Sequence, residues 1–311
     1  MSSATEPAAP QPPQPQLPAL SNMPWLSTLR IGFIGAGRLG KALAWCLTEH
    51  GLCVSAVASH SPASARALAA SVPGCQVLDA QQTVDVCDLV FITTPDSAIA
   101  STANALRWRA GAAVVHCSGA TEVSALDSAA RAGAQTGGFH PMQTFGNPAA
   151  AARSLPGCTI TLEADQPLDA TLVALAERLG CAVNRLPPGM RARYHAAAGF
   201  TSQFLNVLFR EACEIWKSWG ATEAEAVRAL LPMARGTLAS IESAGVAAGM
   251  PGPVSRGDVD TVHKHVEALG NLDAEVLDFY RALCERTVRL AIEHGAFDAA
   301  TATRFRAALR G

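Results

Sequence analysis

The chain has 311 residues, 49% of them hydrophobic, and sets 24 lysines and arginines against 26 aspartates and glutamates for a formal net charge of −2. That length supports two ordinary domains, each with its own core. The balanced charge, with no basic run, excludes the electrostatic footprint of a nucleic-acid or anionic-membrane binder, so neither is an expected partner.

Residues 1–26, MSSATEPAAPQPPQPQLPALSNMPWL, contain no Lys or Arg and no apolar stretch of leader length, and proline recurs too often for a helix. They read as a disordered, polyproline-leaning tail. The nine cysteines (Cys46, Cys53, Cys75, Cys87, Cys117, Cys158, Cys181, Cys213 and Cys284) never fall at CxxC spacing and mostly sit in apolar runs. They predict reduced core thiols in a cytoplasmic protein.

From Leu29 onward, the short apolar runs RIGFIGA, LCVSAVAS, CDLVFITTP, AAVVHCSG and TGGFHPM alternate with Ala/Leu-rich helical stretches. This alternation predicts βα units of a parallel sheet covered on both faces. A further pair, CTITLEAD and CAVNRL, flanks the helix PLDATLVALAERLG and extends the same sheet. After Pro187-Pro188-Gly189 the strands stop. Helices are expected at about 191–219, at 222–243 with a kink at Pro232, at 258–269, and from Asp273 to the end. The predicted fold is therefore α/β, a Rossmann-like doubly wound sheet over 27–187, followed by an all-α domain over 188–311.

The run Gly35-Ala36-Gly37-Arg38-Leu39-Gly40 has the GxGxxG pattern, leaves a strand and opens a helix. Gly35 permits the tight turn, Gly37 lets backbone approach a pyrophosphate, and Gly40 allows close helix–strand packing. A dinucleotide is the expected ligand. At the end of the second strand, where an NAD enzyme carries Asp or Glu, this chain reads ASHSPASAR. The missing acid favours NADP: Ser59, His60 and Ser61 would face the 2′-phosphate, with Arg66 one turn further on. Ser61 reads equally as the N-cap of the next helix.

Three more strand ends point to the same rim: Thr94-Pro95, Ser118-Gly119 after His116, and His140 in GFHPMQTF. Thr94 and Pro95 would press on the nicotinamide side of the cofactor. Ser118 would offer a hydroxyl beside the reacting carbon, and His116 reads as structural. In the helical half, RARYHAAAGFTSQFLNVLF sets His195, Ser202 and Asn206 on one polar stripe of a helix. Histidine suits proton donation because it titrates near working pH. Arg256, just before the helix capped by Asp258, reads either as a clamp for a substrate carboxylate or as a brace paired with Asp258.

GFIGAGRLG, HCSGA, GGFHPMQTF, YHAAA and GPVSRGDVDTVHKHVEAL together resemble a bacterial family, provisionally assigned as NADP oxidoreductases, that pairs an N-terminal Rossmann-like domain with a C-terminal helical domain of unknown function. The resemblance runs from about Arg30 to the end. It implies kinship with 6-phosphogluconate dehydrogenase, pyrroline-5-carboxylate reductase and ketopantoate reductase, and sets His195 near the place of a catalytic lysine in hydroxyacid-dehydrogenase relatives. The chain departs from the family at His60, where Arg is usual, and at Gln203, where Asn is common. The expected activity is NADP(H)-dependent reduction of a small carboxylate-bearing ketone, a 2-oxo acid of the ketopantoate kind, with His195 as the first candidate for general acid and His140 the second. An imine reductase is the alternative, and a non-catalytic dinucleotide-binding regulator is the alternative from another class. No spacing supports a metal site built from His116, His140, His195 and His265. Apolar residues Leu205, Leu208, Phe209, Trp216 and Trp219 predict a homodimer through the helical half.

Overall fold

The computed structural model describes residues 24–310. The expected tail lies outside the described residues up to position 23. Its last three positions belong to the fold, because Pro24–Thr28 form a 3-10 turn whose Leu26 is buried in the main core. The chain divides into two compact units between Gly199 and Phe200.

The first unit is built on eight strands: β1 (Arg30–Ile34), β2 (Cys53–Ala58), β3 (Gln76–Val77), β4 (Leu89–Ile92), β5 (Ala113–His116), β6 (Gln135–Pro141), β7 (Thr159–Ala164) and β8 (Ala182–Arg185). Helices α1 (Arg38–Glu49), α2 (Pro62–Ala70), α3 (Ala80–Val86), α4 (Asp96–Asn104), α5 (Asp127–Arg131), α6 (Pro148–Ser154), α7 (Leu168–Arg178) and α8 (Arg191–Thr201) connect and follow them. The unbroken burial of β4 and of four residues in β1 is what a strand covered on both faces requires. Phe33, Phe91 and Phe139 form an aromatic row beneath one face, Phe33 stacked on Phe91 at 5.3 Å and Phe139 edge-on to Phe91 at 5.4 Å.

The sheet order is β3-β2-β1-β4-β5-β6-β7-β8. The order reverses between β1 and β4, and the crevice outside the carboxyl ends of these strands is where doubly wound sheets take ligands. Two features depart from the sequence reading. Strand β3 was not foreseen, since it is only two exposed residues at the sheet edge. Strand β7 runs antiparallel to β6, pairing Phe139 with Leu162 and His140 with Thr161. The connection from β6 holds only the short helix α6, whose Ala151 and Ala152 pack on Ala42 of α1 near the rim where β6 ends. The chain therefore re-enters the sheet from that end instead of crossing a face.

The second unit contains α9 (Gln203–Lys217), α10 (Glu223–Ala244), α11 (Val259–Gly270), α12 (Ala274–Glu293) and α13 (Ala299–Arg310). Its core joins Val262 and Val266 of α11, Val288 of α12 and Phe305 of α13. The single helix expected over 191–219 is broken at Ser202, whose ψ of −89° is off the helical value. The helix expected from Asp273 to the end is likewise split, because Gly295 takes a left-handed conformation and Asp298 caps α13 by accepting from the Thr301 amide. Among the described residues, no helix is long and apolar enough to cross a membrane.

Candidate functional site

The three glycines of the loop differ in what they are needed for. Gly35 has φ +115°, and a Cβ there would strike the backbone of Thr93 and Thr94. A Cβ on Gly40 would strike the Gly35 carbonyl and the Thr93 hydroxyl, which donates to that same carbonyl at 2.7 Å. Gly37, the N-cap residue of α1, has ordinary extended backbone, and a Cβ on it would meet nothing within 4 Å. Geometry within the protein therefore demands glycine at 35 and 40, whereas at 37 the space is open to a ligand approaching the free amides of α1.

Beside the loop lies a cavity of about 430 Å³ lined by Gly35, Ser59, His60, Asp79, Thr94 and Leu106, among others. Ser59 accepts the Ser61 amide and Ser61 accepts the Ser64 amide, both at 3.3 Å, so Ser61 is the cap of α2. Each hydroxyl keeps its proton to donate elsewhere. The Thr94 hydroxyl is buried with no hydrogen-bond partner in the protein, which a bound ligand would repair. Pro95 caps α4 and is exposed. These features fit a dinucleotide: an open glycine, a helix N-terminus, an orphaned hydroxyl, and no carboxylate at the end of β2.

At the ends of β5 and β6, two imidazoles meet. A Cβ built on Gly119 would collide with Nδ1 of His195 and stand 2.9 Å from Nε2 of His140, so both nitrogens face the same backbone. The two rings lie 6.0 Å apart, nearly perpendicular. Tyr194 brings its phenol to 2.7 Å from Nδ1 of His140. The sequence reading missed Tyr194; its only local signal was adjacency to His195, and its partner lies 54 residues away. Ser118 is not a free hydroxyl: it lies 2.7 Å from the Asp96 carboxylate and accepts the amides of Ala120 and Thr121. It shapes the turn that presents Gly119.

Arg191 anchors this arrangement. It is fully buried, its Nε donates to Glu163 at 2.6 Å, and its Nη1 donates to the Ser118 carbonyl at 2.8 Å. Glu122 accepts the amides of Gly189 and Arg191 at the start of α8. The helix carrying Tyr194 and His195 is thereby fastened both to β7 and to the loop bearing Gly119.

Burial, then the charge of Arg191, pushes His116 down to about 3. Its Nδ1 accepts the Ser118 amide at 3.3 Å, in keeping with the structural reading. Burial, then the neighbouring His195 and Arg191, pushes His140 down to about 4. Both rings are neutral at physiological pH.

The other expected residues fall in the second unit. Ser202 stands at the helix break, and Asn206 donates to its carbonyl at 3.3 Å, so the polar stripe drawn from His195 does not continue along one helix. Arg256 is exposed, whereas the Asp258 carboxylate bonds the amide and hydroxyl of Thr261. His265 bonds the Tyr280 phenol at 2.8 Å.

The sheet order, the glycine loop and the rim cluster define a Rossmann-like protein with a helical C-terminal region. Residues 18–141 match the Rossmann-like domain family, and residues 158–287 match a domain of unknown function, DUF2520. The chain belongs to the proteins that join these two domains. None of the curated proteins matches it. Among solved structures it is similar to BF3122 from Bacteroides fragilis, described provisionally as an NADP oxidoreductase, with 24% identity, TM-score 0.67, and coverage of 85% of this chain and 99% of that one. Protein TM1727 from Thermotoga maritima has 23% identity and TM-score 0.69 with the same coverage. A reductive aminase from Aspergillus terreus, in complex with NADPH and ethyl-5-oxohexanoate, has 18% identity and TM-score 0.59, covering 88% of this chain and 98% of that one.

The two depressed imidazoles give stability a direction with pH. Unfolded, each takes a proton near the ordinary 6.5; folded, only near 3 and 4. The unfolded chain therefore binds more protons in that window, so stability is retained above pH 6.5 and falls as pH drops from 6.5 toward 4. Urea midpoints measured across this range should decline, and His140→Gln should flatten the decline.

Proposed function

We propose that this protein is an NADP(H)-dependent reductase of a small carboxylate-bearing ketone, a 2-oxo acid. The observation that carries the reading is the convergence of His195 Nδ1 and His140 Nε2 on Gly119, just beyond the end of β5, two strands along the sheet from β1 and its glycine loop. NADPH, when bound, supplies the hydride. The amides following Gly37 receive the pyrophosphate, and the unspent protons of Ser59 and Ser61, with His60 and Arg66, receive the 2′-phosphate. His195 is the general acid: it is exposed on α8 and reaches the point that His140 reaches, while His140 is held neutral. As hydride reaches the carbonyl carbon, the proton leaves the His195 imidazolium for the carbonyl oxygen, giving the alcohol and a neutral imidazole. Arg256, exposed just before α11, is the residue proposed to anchor the carboxylate, since a guanidinium holds a carboxylate bidentately.

Reduction of an imine is the second reading, favoured by the likeness to the reductive aminase. NADPH consumption against a panel of 2-oxo acids and cyclic imines separates the two. No turnover of any member would instead favour a non-catalytic dinucleotide-binding regulator. We further propose a homodimer through the second unit, in the cytoplasm. The dimer is supported by exposed apolar residues on α9 and α10: Phe204, Leu205, Leu208, Leu238 and Ile241. Trp219 is exposed just beyond α9.

Titration should find NADPH bound more tightly than NADH, and Ser59→Asp should reverse the preference, since a carboxylate repels the 2′-phosphate and accepts from a 2′-hydroxyl. On a confirmed substrate, His195→Ala should lower kcat by roughly 10²- to 10⁴-fold with NADPH affinity nearly unchanged; the same loss in His140→Ala beside an active His195→Ala would move the role to His140. Light scattering at micromolar concentration should report twice the chain mass.

A further inference from the structure

We propose that Cys158 and Cys181 form a redox modification site, oxidised by a peroxide to a disulfide that staples the first ends of β7 and β8 together. Cys158 immediately precedes β7, Cys181 immediately precedes β8, and the two strands run parallel with Thr159 opposite Ala182. One step back along that register Cys158 stands opposite Cys181, and the Ala182 amide donates to the Cys158 carbonyl at 2.9 Å. The two sulfurs are 3.9 Å apart. Among the described residues, no other two cysteine sulfurs lie within hydrogen-bonding distance of each other.

Register neighbours on paired strands are about 4.8 Å apart and point to the same face, inside the range of roughly 4.4–6.8 Å over which a disulfide joins two Cα atoms. Side-chain rotation therefore closes the gap between the sulfurs without moving the backbone. The two thiols are unequal, since Cys158 is half-buried and Cys181 buried. The hydrogen bond with Cys181 draws the Cys158 thiol below its ordinary value, and the thiolate is the form that attacks. Cys158 is thus the thiol that meets the oxidant and Cys181 the one that resolves it.

The chemistry closes with hydrogen peroxide as the oxidant. The Cys158 sulfur attacks one peroxide oxygen, the O–O bond breaks, and the departing hydroxide takes the thiol proton as water, leaving a sulfenic acid. The Cys181 sulfur then attacks the Cys158 sulfur, the S–O bond breaks as the S–S bond forms, and the Cys181 proton leaves with the hydroxyl as a second water. Two thiols lose two electrons, and one peroxide gains them.

The pair lies at the end of the sheet that carries His140. Because β7 is antiparallel to β6, Ile160 stands opposite Pro141, and the Met142 amide donates to the Thr159 carbonyl at 2.9 Å. The strand it would tie down is also the one whose Glu163 meets Arg191. The proposal does not depend on the reductase reading, since neither step involves NADPH.

The test is a peptide map of the full folded chain after hydrogen peroxide, with free thiols alkylated before denaturation. Trypsin cuts after Arg153, Arg178 and Arg185, so the two cysteines fall on separate peptides, 154–178 and 179–185, each with a single cysteine. The oxidised chain should yield these two peptides joined and lighter by two hydrogens than their sum, and dithiothreitol should part them. Cys181→Ser should remove the joined species and let Cys158 climb to the sulfinic acid, with 154–178 gaining two oxygens. Recovery of both peptides alkylated after a dose that oxidises the exposed Cys53 would overturn the proposal, as would a wild-type chain in which Cys158 reaches the sulfinic acid while Cys181 is still alkylated.

Discussion

Arg191 has no access to water, and the geometry of the rim depends on how its charge is met. Its guanidinium is paired with Glu163 at 2.6 Å and spends a second donor on the Ser118 carbonyl, while one terminal nitrogen stays buried without a partner. Removing one member of such a buried pair costs about 3–5 kcal/mol, because the other charge is left uncompensated. The exposed pair of Arg30 with Asp88, though nearly as short at 2.7 Å, belongs to a class worth about 0–1 kcal/mol. The difference matters because Arg191 is where the strand-rich part of the chain hands over to the helices. Gly138 is part of the same bargain: any Cβ there would collide with the guanidinium, so β6 keeps a bare position to let the charge lie flat on the sheet.

That anchoring explains why neighbouring histidines differ in their surroundings. His116 and His140 sit on strands inside the sheet's end, where burial and the adjacent guanidinium oppose a second positive charge. His195 rides on α8, one residue beyond Tyr194, and is exposed. A buried neutral imidazole beside an accessible one gives two side chains of the same type different surroundings at one point.

Much of the first unit was legible because its strands are short apolar runs closed by turn residues, a pattern that parallel burial imposes on sequence itself. The glycine loop was legible for the same reason: Gly35 and Gly40 are needed by the fold, and Gly37 by open space. What the sequence hid was whatever depends on partners distant in the chain. The reversal of β7 leaves no local mark, since an antiparallel strand buried on both faces reads like a parallel one. Ser118 looked available because its commitment to Asp96 spans 22 residues. The polar stripe failed at Ser202 because helical spacing assumes an unbroken helix, and no proline marks that break, while Gly199 lies inside α8. Tyr194 was passed over because the histidine it meets, His140, lies 54 residues away in sequence. Arg191 read as one more basic residue at a helix start, although it is the most deeply buried charge among the described residues.

The packing of α6 on α1 bears on how the polypeptide is assembled as it is made. Ala42, inside the helix that follows the glycine loop, is covered by Ala151 and Ala152, more than a hundred residues later. The Rossmann-like match ends at residue 141, before any of that cover has been synthesised. A nascent chain halted there would hold β1 through β6 with one side of α1 bare, together with Trp45, which packs against the same alanines. The boundary that sequence families draw at 141 is thus not a boundary for folding: the first helix must wait for a segment from beyond it, and shuffling the two domains at that seam would carry away part of the first domain's own wall.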